Sequence, residues 1–135
     1  MLGFSLYPLH LKGGSGCSLA DFCAMVARTA ELMGVEHIGI GSDLCQDQPD
    51  AVVNWMRVGR WTRKTENAVF PPQPSWFRNN TDFANIPSGL ETVGFSPAEV
   101  DRIMGGNWLD FFARSFGPAD QAEAAPAARL AERRG

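Results

Sequence analysis

The sequence has no long hydrophobic run, and this absence excludes the ordinary membrane-spanning helix. No apolar stretch approaches the roughly 18 residues that such a helix needs. The first residues contain neither a basic segment nor a cleavage site, so no signal peptide is expected. These features predict a protein of the cytoplasm.

Basic residues are also few relative to acidic residues. The 12 lysine and arginine residues are outnumbered by 15 aspartate and glutamate residues, which argues against a chain that binds nucleic acid or an anionic membrane surface. At 135 residues, 44% of them hydrophobic, the chain has room for one domain with an ordinary core. Three cysteines without CxxC spacing, Cys17, Cys23 and Cys45, are expected to be reduced and mostly buried.

Established catalytic and metal-binding motifs are absent as well. The chain contains no HExxH or His-x-Asp sequence, no Walker loop, no GxSxG elbow and no paired-cysteine motif. Its two histidines, His10 and His37, are too few for a catalytic zinc, which usually takes about three protein ligands. We therefore expect no metal to be bound by this chain alone.

What the sequence does contain is a short apolar stretch that ends on a carboxylate, from His37 to Asp43. Ile38 and Ile40, separated by glycine, predict a buried strand of a parallel sheet. In a (β/α) barrel, a polar residue just past the carboxyl end of a strand faces the catalytic mouth. Asp43 occupies such a position and is a candidate catalytic residue. The alternative is that Asp43 only caps the turn that follows, and the residues leave both interpretations open.

The residues before this stretch complete a strand–helix–strand unit. The alternation from Leu2 predicts a strand that ends at Pro8, and apolar residues at helical spacing predict an amphipathic helix from Ser18 to Met33. Ser18 is the expected N-cap and Gly34 the left-handed stop. Such a unit implies parallel pairing with a right-handed crossover.

The two histidines are predicted to lie at opposite ends of this unit. His10 follows the end of the first strand and is a candidate for the same mouth as Asp43. His37 begins the second strand, at the end where residues serve stability, so a structural role is expected for it.

A long segment, 44–81, follows Asp43 and is expected to pass over the carboxyl ends of the strands. It contains a predicted short helix between Pro49 and Gly59 and a proline-rich stretch, Phe70 to Phe77, that excludes helix and central strand. The predicted helix has an apolar face formed by Val52, Trp55 and Met56.

Basic and aromatic residues alternate in the middle of this segment: Trp55, Arg57, Arg60, Trp61, Arg63 and Lys64. One interpretation is a site for an anion or for single-stranded nucleic acid. The other is a solvated helix end with tryptophans packed beneath it, and the acidic balance of the whole chain favours this second interpretation.

Helical signals dominate the rest of the chain. A helical pattern runs from Asp82 to Val93, and a capping box at Ser96 begins another helix over Pro97 to Met104. Asn107 is expected to cap a last helix, from Trp108 to Phe116. The predicted folded unit is therefore 1–117, and the Ala/Arg-rich tail, 118–135, is expected to fray.

The stretch Glu36-His-Ile-Gly-Ile-Gly-Ser-Asp43 is followed in order by Ser96-Pro-Ala-Glu99 and Gly105-Gly-Asn-Trp108. Together these motifs resemble the C-terminal end of the membrane (renal-type) dipeptidase family, zinc-dependent dipeptidases on a (β/α)8 barrel in the amidohydrolase superfamily. The resemblance extends from about Leu2 to Phe112. It implies an α/β fold class, the C-terminal βαβα portion of a (β/α)8 TIM barrel, with strand seven starting at Leu2 and strand eight at His37.

The same resemblance implies roles for three residues. Asp43 matches the strand-eight aspartate of the family, which lies beside the metal-bound water and the substrate amine. Tyr7 matches an aromatic residue at the mouth end of strand seven, and with His10 it is a candidate for substrate binding. The family continues Asp-Phe-Asp-Gly, whereas this chain has Cys45 in place of the second aspartate. This difference implies an altered pocket rim, with the Trp/Arg segment as its lid.

The family's metal ligands are a His-x-Asp pair, a bridging glutamate and two histidines from strands one to six, and this chain has none of them. The resemblance therefore implies the C-terminal portion of a metallodipeptidase, with two zinc ions in the complete enzyme and none in this chain alone. Its expected partners are a dipeptide substrate and the missing N-terminal barrel portion, or a second copy of itself. The alternatives are a non-catalytic, partner-binding remnant and a truncated gene.

Overall fold

A parallel pair of strands connected by a helix forms the centre of the protein. The computed structural model describes residues 1–44, 51–52, 55–56 and 70–117. Strand β1 (Leu2–Ser5) and strand β2 (Ile38–Gly41) pair in parallel, and helix α1 (Leu19–Met33) crosses between them. The predicted strand–helix–strand unit is confirmed. Strand β1 ends earlier than expected, because the chain turns into a 3₁₀ helix at Pro8–His10.

The register of the pair gives the sheet two unlike faces. Leu2 is opposite Ile38 and Phe4 opposite Ile40, so the apolar side chains of both strands share one face. That face packs on α1, whose buried residues Phe22, Cys23 and Val26 belong to the same core cluster. The other face carries glycines of both strands and, at the end of β1, the hydroxyl of Ser5.

Helix α1 begins and ends close to the predicted residues. The Ser18 side chain accepts a hydrogen bond from the Asp21 N–H at 3.0 Å, as expected of an N-cap. Gly34 follows the helix with φ 85° and ψ 145°, so its φ is positive as predicted but its ψ lies outside the left-handed helical region. A 3₁₀ turn, Val35–His37, then leads into β2.

The second half of the described chain is helical. A 3₁₀ helix, Asn80–Asn85, precedes α2 (Ile86–Thr92), and α3 (Pro97–Asp101) follows with the predicted capping box at Ser96. In that box the backbone N–H and the hydroxyl of Ser96 hydrogen-bond to the Glu99 carboxylate. These bonds lower the pKa of Glu99 below its ordinary value.

The prediction that Asn107 caps a separate last helix is wrong. A π-helical segment, Arg102–Gly106, carries the chain from α3 into α4 (Asn107–Phe116), with a kink where Gly105 has φ 178° and ψ −28°. The Asn107 side chain is 1% exposed, and its amide donates to the Val35 and Ile38 carbonyls at 2.7 and 2.8 Å. Asn107 therefore holds the last helix against the start of β2.

Trp108, the next residue, lies across the glycine face of the sheet. A Cβ atom on Gly3 would be 2.9 Å from the indole, and one on Gly39 would be 2.6 Å from Nε1. The indole N–H donates to the Ile40 carbonyl at 2.9 Å. The two glycines thus make room for an aromatic ring that covers part of this face.

The long segment after β2 is described in part. Residues 51–52 and 55–56 are helical, and the Trp55 side chain is 62% exposed rather than packed beneath the segment. At the other end Phe77 is buried, and the Trp76 indole N–H donates to the Cys17 carbonyl at 2.8 Å. The 3₁₀ helix at Asn80–Asn85 ends the segment slightly before residue 81.

Several sequence predictions lie outside the described residues. They concern the alternating basic residues and Trp61, the replacement at Cys45, and the tail 118–135. In the part of the chain that the structure describes, every helix is too short or too polar to cross a membrane.

The amide of Asn107 provides a test of how the last helix is held. Asn107→Asp keeps the shape but replaces the donating NH₂ by an oxygen that faces two carbonyls, and we expect a loss of at least about 1–3 kcal/mol of unfolding free energy. An aspartate is as good an N-cap as an asparagine. Urea unfolding of both proteins, with Ser96→Ala as a genuine cap deletion, distinguishes the two roles. An Asn107→Asp protein as stable as the parent contradicts the role assigned here.

The core thiols provide a second test. Cys17 and Cys23 are free and buried, and burial raises the pKa of the Cys23 thiol to about 11, with a smaller contribution from Cys17. At about pH 8 only about one Cys23 thiol in a thousand is then ionised, against about a quarter for an exposed cysteine. In a Cys45→Ser variant, we expect Ellman's reagent to react slowly before unfolding, faster as the pH rises, and rapidly in urea. Rapid reaction of two thiols in the folded protein at about pH 8 would contradict the burial of Cys17 and Cys23.

Candidate functional site

The carboxyl ends of β1 and β2 bring polar side chains together on the glycine face. Ser5 is the last residue of β1 and is opposite Gly41, and Asp43 follows two residues after Gly41. The Leu6 N–H donates to the Ser42 carbonyl at 3.2 Å, which keeps the two segments adjacent just beyond the ends of the strands. In parallel α/β proteins this is the end of the sheet where ligands bind.

Ser5 occupies the centre of the cluster. Its Oγ lies 2.9 Å from His10 Nδ1 and 3.4 Å from Asp43 Oδ2, and it accepts a hydrogen bond from the Tyr7 N–H at 3.1 Å. His10 Nδ1 is 4.0 Å from Asp43 Oδ2. The structure therefore brings the three predicted residues, Tyr7, His10 and Asp43, around one hydroxyl.

A short turn explains how His10 reaches this position. Pro8 is buried and begins the 3₁₀ helix Pro8–His10, in which the His10 N–H donates to the Tyr7 carbonyl at 2.9 Å. The turn reverses the chain, so the imidazole comes back over the end of β1. The Tyr7 ring meets the imidazole edge-on, with centroids 5.2 Å apart, and meets the Phe70 ring in the same manner at 6.2 Å.

Asp43 has an unusual backbone conformation. Its φ is 55°, the one positive value among the non-glycine residues that the structure describes. Aspartate tolerates this region better than most residues, and such conformations cluster at functional sites. The Leu44 N–H donates to the Ser42 hydroxyl at 3.3 Å. Among the described residues, the Asp43 carboxylate contacts Ser5 and His10.

Both ionisable side chains of the cluster remain open to solvent. The His10 side chain is 58% exposed and that of Asp43 is 63% exposed. A molecule arriving from solution can therefore reach both of them. His37 lies at the other end of β2, where its Nε2 is 3.5 Å from Glu36 Oε1, and it takes no part in the cluster.

Ser5 is the residue that sequence reasoning missed. The available signal was weak: Ser5 is the one hydroxyl within the otherwise apolar stretch Leu2 to Leu6. Its significance depends on the register with Gly41 and on the turn at Pro8, and neither can be inferred from residue spacing.

The geometry differs from that of a nucleophilic Ser–His–Asp triad. In a triad the imidazole lies between the other two groups and uses one nitrogen for each. Here the hydroxyl and the carboxylate both lie on the Nδ1 side of His10, with Ser5 between them. The cluster therefore suits a carboxylate that accepts a proton, oriented by a hydroxyl, better than an activated serine.

The described residues of the cluster are also too few to hold a metal ion. Among residues 1–44, 51–52, 55–56 and 70–117 there is no group of three His, Cys, Asp or Glu side chains that could hold one. Asp43 and His10 together offer two ligands, fewer than the three or four that protein zinc sites use.

Comparison with solved structures shows the fold to which this arrangement belongs. The chain is similar in structure to an amidohydrolase from Pseudomonas aeruginosa, with a TM-score of 0.75 and 23% sequence identity. The likeness covers 86% of this chain and 36% of the other, so this chain spans about a third of that protein's length. No protein-family model matches the chain, nor does any curated protein. This protein is thus a mixed α/β chain that shares its fold with part of an amidohydrolase structure.

Proposed function

We propose that this chain is the C-terminal portion of an amide-hydrolysing enzyme of the metallodipeptidase type, built on a (β/α)8 barrel in the amidohydrolase superfamily. The observation that carries the proposal is the position of Asp43, on the glycine face at the carboxyl end of β2 beside Ser5 and His10. The fold similarity to a part of the Pseudomonas amidohydrolase supports it. So do the sequence motifs around Asp43 and Asn107.

In this proposal Asp43 is the proton-transfer group. Its carboxylate takes a proton from the attacking water and passes it to the departing amine, first as general base and then as general acid. Tyr7 and His10 line the same opening and contact the substrate, a dipeptide or similar small amide. We place the protein in the cytoplasm, where Cys17 and Cys23 stay reduced.

The metal of such an enzyme would have to come from elsewhere in the barrel. The described residues lack a set of three ligands, so we assign no step of the reaction to a metal held by them. The zinc ions implied by the family resemblance are, in this proposal, bound by the strands that the chain itself does not supply.

The sheet itself supports the need for further strands. Parallel sheets are normally covered on both faces, and two strands alone are only marginally stable. Here α1 covers most of one face, on which Leu2 stays exposed, and Gly3 and Gly41 on the other face are exposed as well. The simplest partner is a polypeptide that pairs parallel strands with both edges and, by closing the barrel, covers this face.

This need for strands predicts the state of the isolated chain. We expect the purified chain to self-associate, because open parallel edges pair with whatever strand is available. Co-expression with the N-terminal two-thirds of a related barrel is expected to replace self-association by a one-to-one complex. Sedimentation velocity of both preparations measures this. A compact monomer that does not bind the second polypeptide contradicts the barrel proposal.

A second candidate function is a partner-binding module without catalysis. It is favoured by the lack of a ligand set among the described residues and by an aromatic ridge on α4, which runs from the half-buried Trp108 to the exposed Phe112 and Phe116 at four-residue spacing. Phe116 at the end of this ridge is 80% exposed. The two functions differ in whether Asp43 is needed for turnover.

Replacement of Asp43 tests the catalytic role directly. In the completed barrel, Asp43→Asn keeps the shape of the side chain but cannot accept a proton, and kcat for dipeptide hydrolysis is expected to fall about 10²- to 10⁴-fold. The metal content is expected to stay unchanged, since the ligands lie elsewhere. Steady-state kinetics and elemental analysis of the same preparations are the measurements.

The chain offers a matched control in Glu36→Gln. It also neutralises a carboxylate beside a histidine, but at the opposite end of β2. It is expected to leave kcat within about twofold of the parent, as a surface change does. If Asp43→Asn also stays within about threefold of the parent, with the metal retained, Asp43 has no part in the mechanism and the binding-module interpretation gains.

A further inference from the structure

The hydroxyl of Ser5 has more potential partners than it has hydrogens. A serine hydroxyl can donate one hydrogen bond and accept two. Ser5 Oγ already accepts from the Tyr7 N–H, and both His10 Nδ1 and Asp43 Oδ2 lie within reach, at 2.9 and 3.4 Å. The single hydrogen can therefore point to only one of these two atoms.

Counting donors and acceptors among these groups favours one direction. An ionised carboxylate can only accept, so Asp43 obtains a bond from Ser5 only if the hydroxyl hydrogen points to it. Ser5 then has a free lone pair toward His10, which is satisfied only if Nδ1 carries a hydrogen. In this arrangement the hydroxyl makes all three of its bonds. In the reverse arrangement, with Ser5 donating to Nδ1, the carboxylate loses this donor, and it and one lone pair of Ser5 are left to bind water.

We propose that Ser5 is a positioning residue that links His10 to Asp43 by a directed chain of hydrogen bonds, from Nδ1–H to Oγ–H to Oδ2. The chain orients the carboxylate and fixes the neutral imidazole in the tautomer with the hydrogen on Nδ1. The 3.4 Å bond is long, as catalytic hydrogen bonds commonly are before substrate binds.

The proposal assigns a chemical preference to the exposed side of His10. With the hydrogen held on Nδ1, Nε2 is an acceptor and binds a hydrogen-bond donor, such as the amine or amide N–H of a small peptide. The Tyr7 ring contacts the imidazole edge-on and lies beside this exposed side. The hydrogen-bond chain stands by itself, whereas its use toward a peptide substrate rests on the proposed function.

Nitrogen NMR of the imidazole rings tests the chain of bonds without any need for turnover. The protein contains only two histidines, so a ¹⁵N-labelled sample gives two ring patterns, which a His37→Gln variant assigns. At about pH 8.5, where an imidazole is normally uncharged, we expect His10 to show its hydrogen on Nδ1. His37, whose Nε2 faces Glu36, is expected to show the opposite tautomer and is the internal reference.

Two variants of Ser5 and one of Asp43 complete the experiment. Ser5→Ala is expected to abolish the Nδ1–H preference of His10, and Ser5→Thr, which keeps the hydroxyl, to retain it. Asp43→Gly removes the acceptor and tolerates the positive φ at this position, so the Ser5 hydrogen can turn to Nδ1 and the hydrogen of His10 is expected to move to Nε2. All samples are measured in whichever assembly the parent forms, so a poorly folded Ser5→Ala protein leaves the other two variants decisive.

The outcomes separate this proposal from the proposed function. A parent protein with the His10 hydrogen on Nε2, or a tautomer unchanged in both Ser5→Ala and Asp43→Gly, overturns the chain of bonds even if Asp43→Asn abolishes hydrolysis. A confirmed chain together with full activity of Asp43→Asn in the completed barrel upholds the geometry and overturns its catalytic use. In that barrel, the supported outcome is a kcat loss in Ser5→Ala that exceeds any rise in KM and is rescued in Ser5→Thr.

Discussion

Parallel pairing between β1 and β2 is the constraint on which the rest of the structure depends. It places Ser5 opposite Gly41, so groups separated by 38 residues in sequence become neighbours at one end of the sheet. The same pairing sets Gly3 beside Gly39 and so leaves room for the last helix to approach. A shift of one residue would turn Ser5 into the α1 core and Phe4 toward solvent, because alternate residues face opposite sides of a strand.

The two ends of this strand pair differ in burial. At the start of β2, Asn107 binds two backbone carbonyls with a buried amide, which is a rigid and solvent-free contact. At the far end, Asp43 and His10 are exposed and held by a single hydroxyl. A buried structural contact and an exposed polar cluster therefore occupy opposite ends of the same four-residue strands. This separation means that either end can be altered by mutation with little effect on the other.

Sequence reasoning succeeded where the determinants are local. The N-cap at Ser18 and the capping box at Ser96 involve residues three apart, and the structure has both. It failed for Asn107, since the carbonyls that bind the amide lie about 70 residues earlier and asparagine after two glycines looks like a cap. The candidate site was predicted as three residues near one mouth. Their shared partner Ser5 emerged only with the register, which no local pattern records.

The position of Trp108 makes the effects of substitutions at Trp108, Gly3 and Gly39 depend on one another. The indole fills the space that side chains on Gly3 and Gly39 would take, and its N–H satisfies the Ile40 carbonyl. An alanine at either glycine would push the ring away and leave that carbonyl without its donor, whereas a smaller residue at 108 would open a void over the sheet. Substitutions at Trp108 and at the two glycines are therefore expected to be coupled, so that a bulkier strand residue compensates for a lost tryptophan.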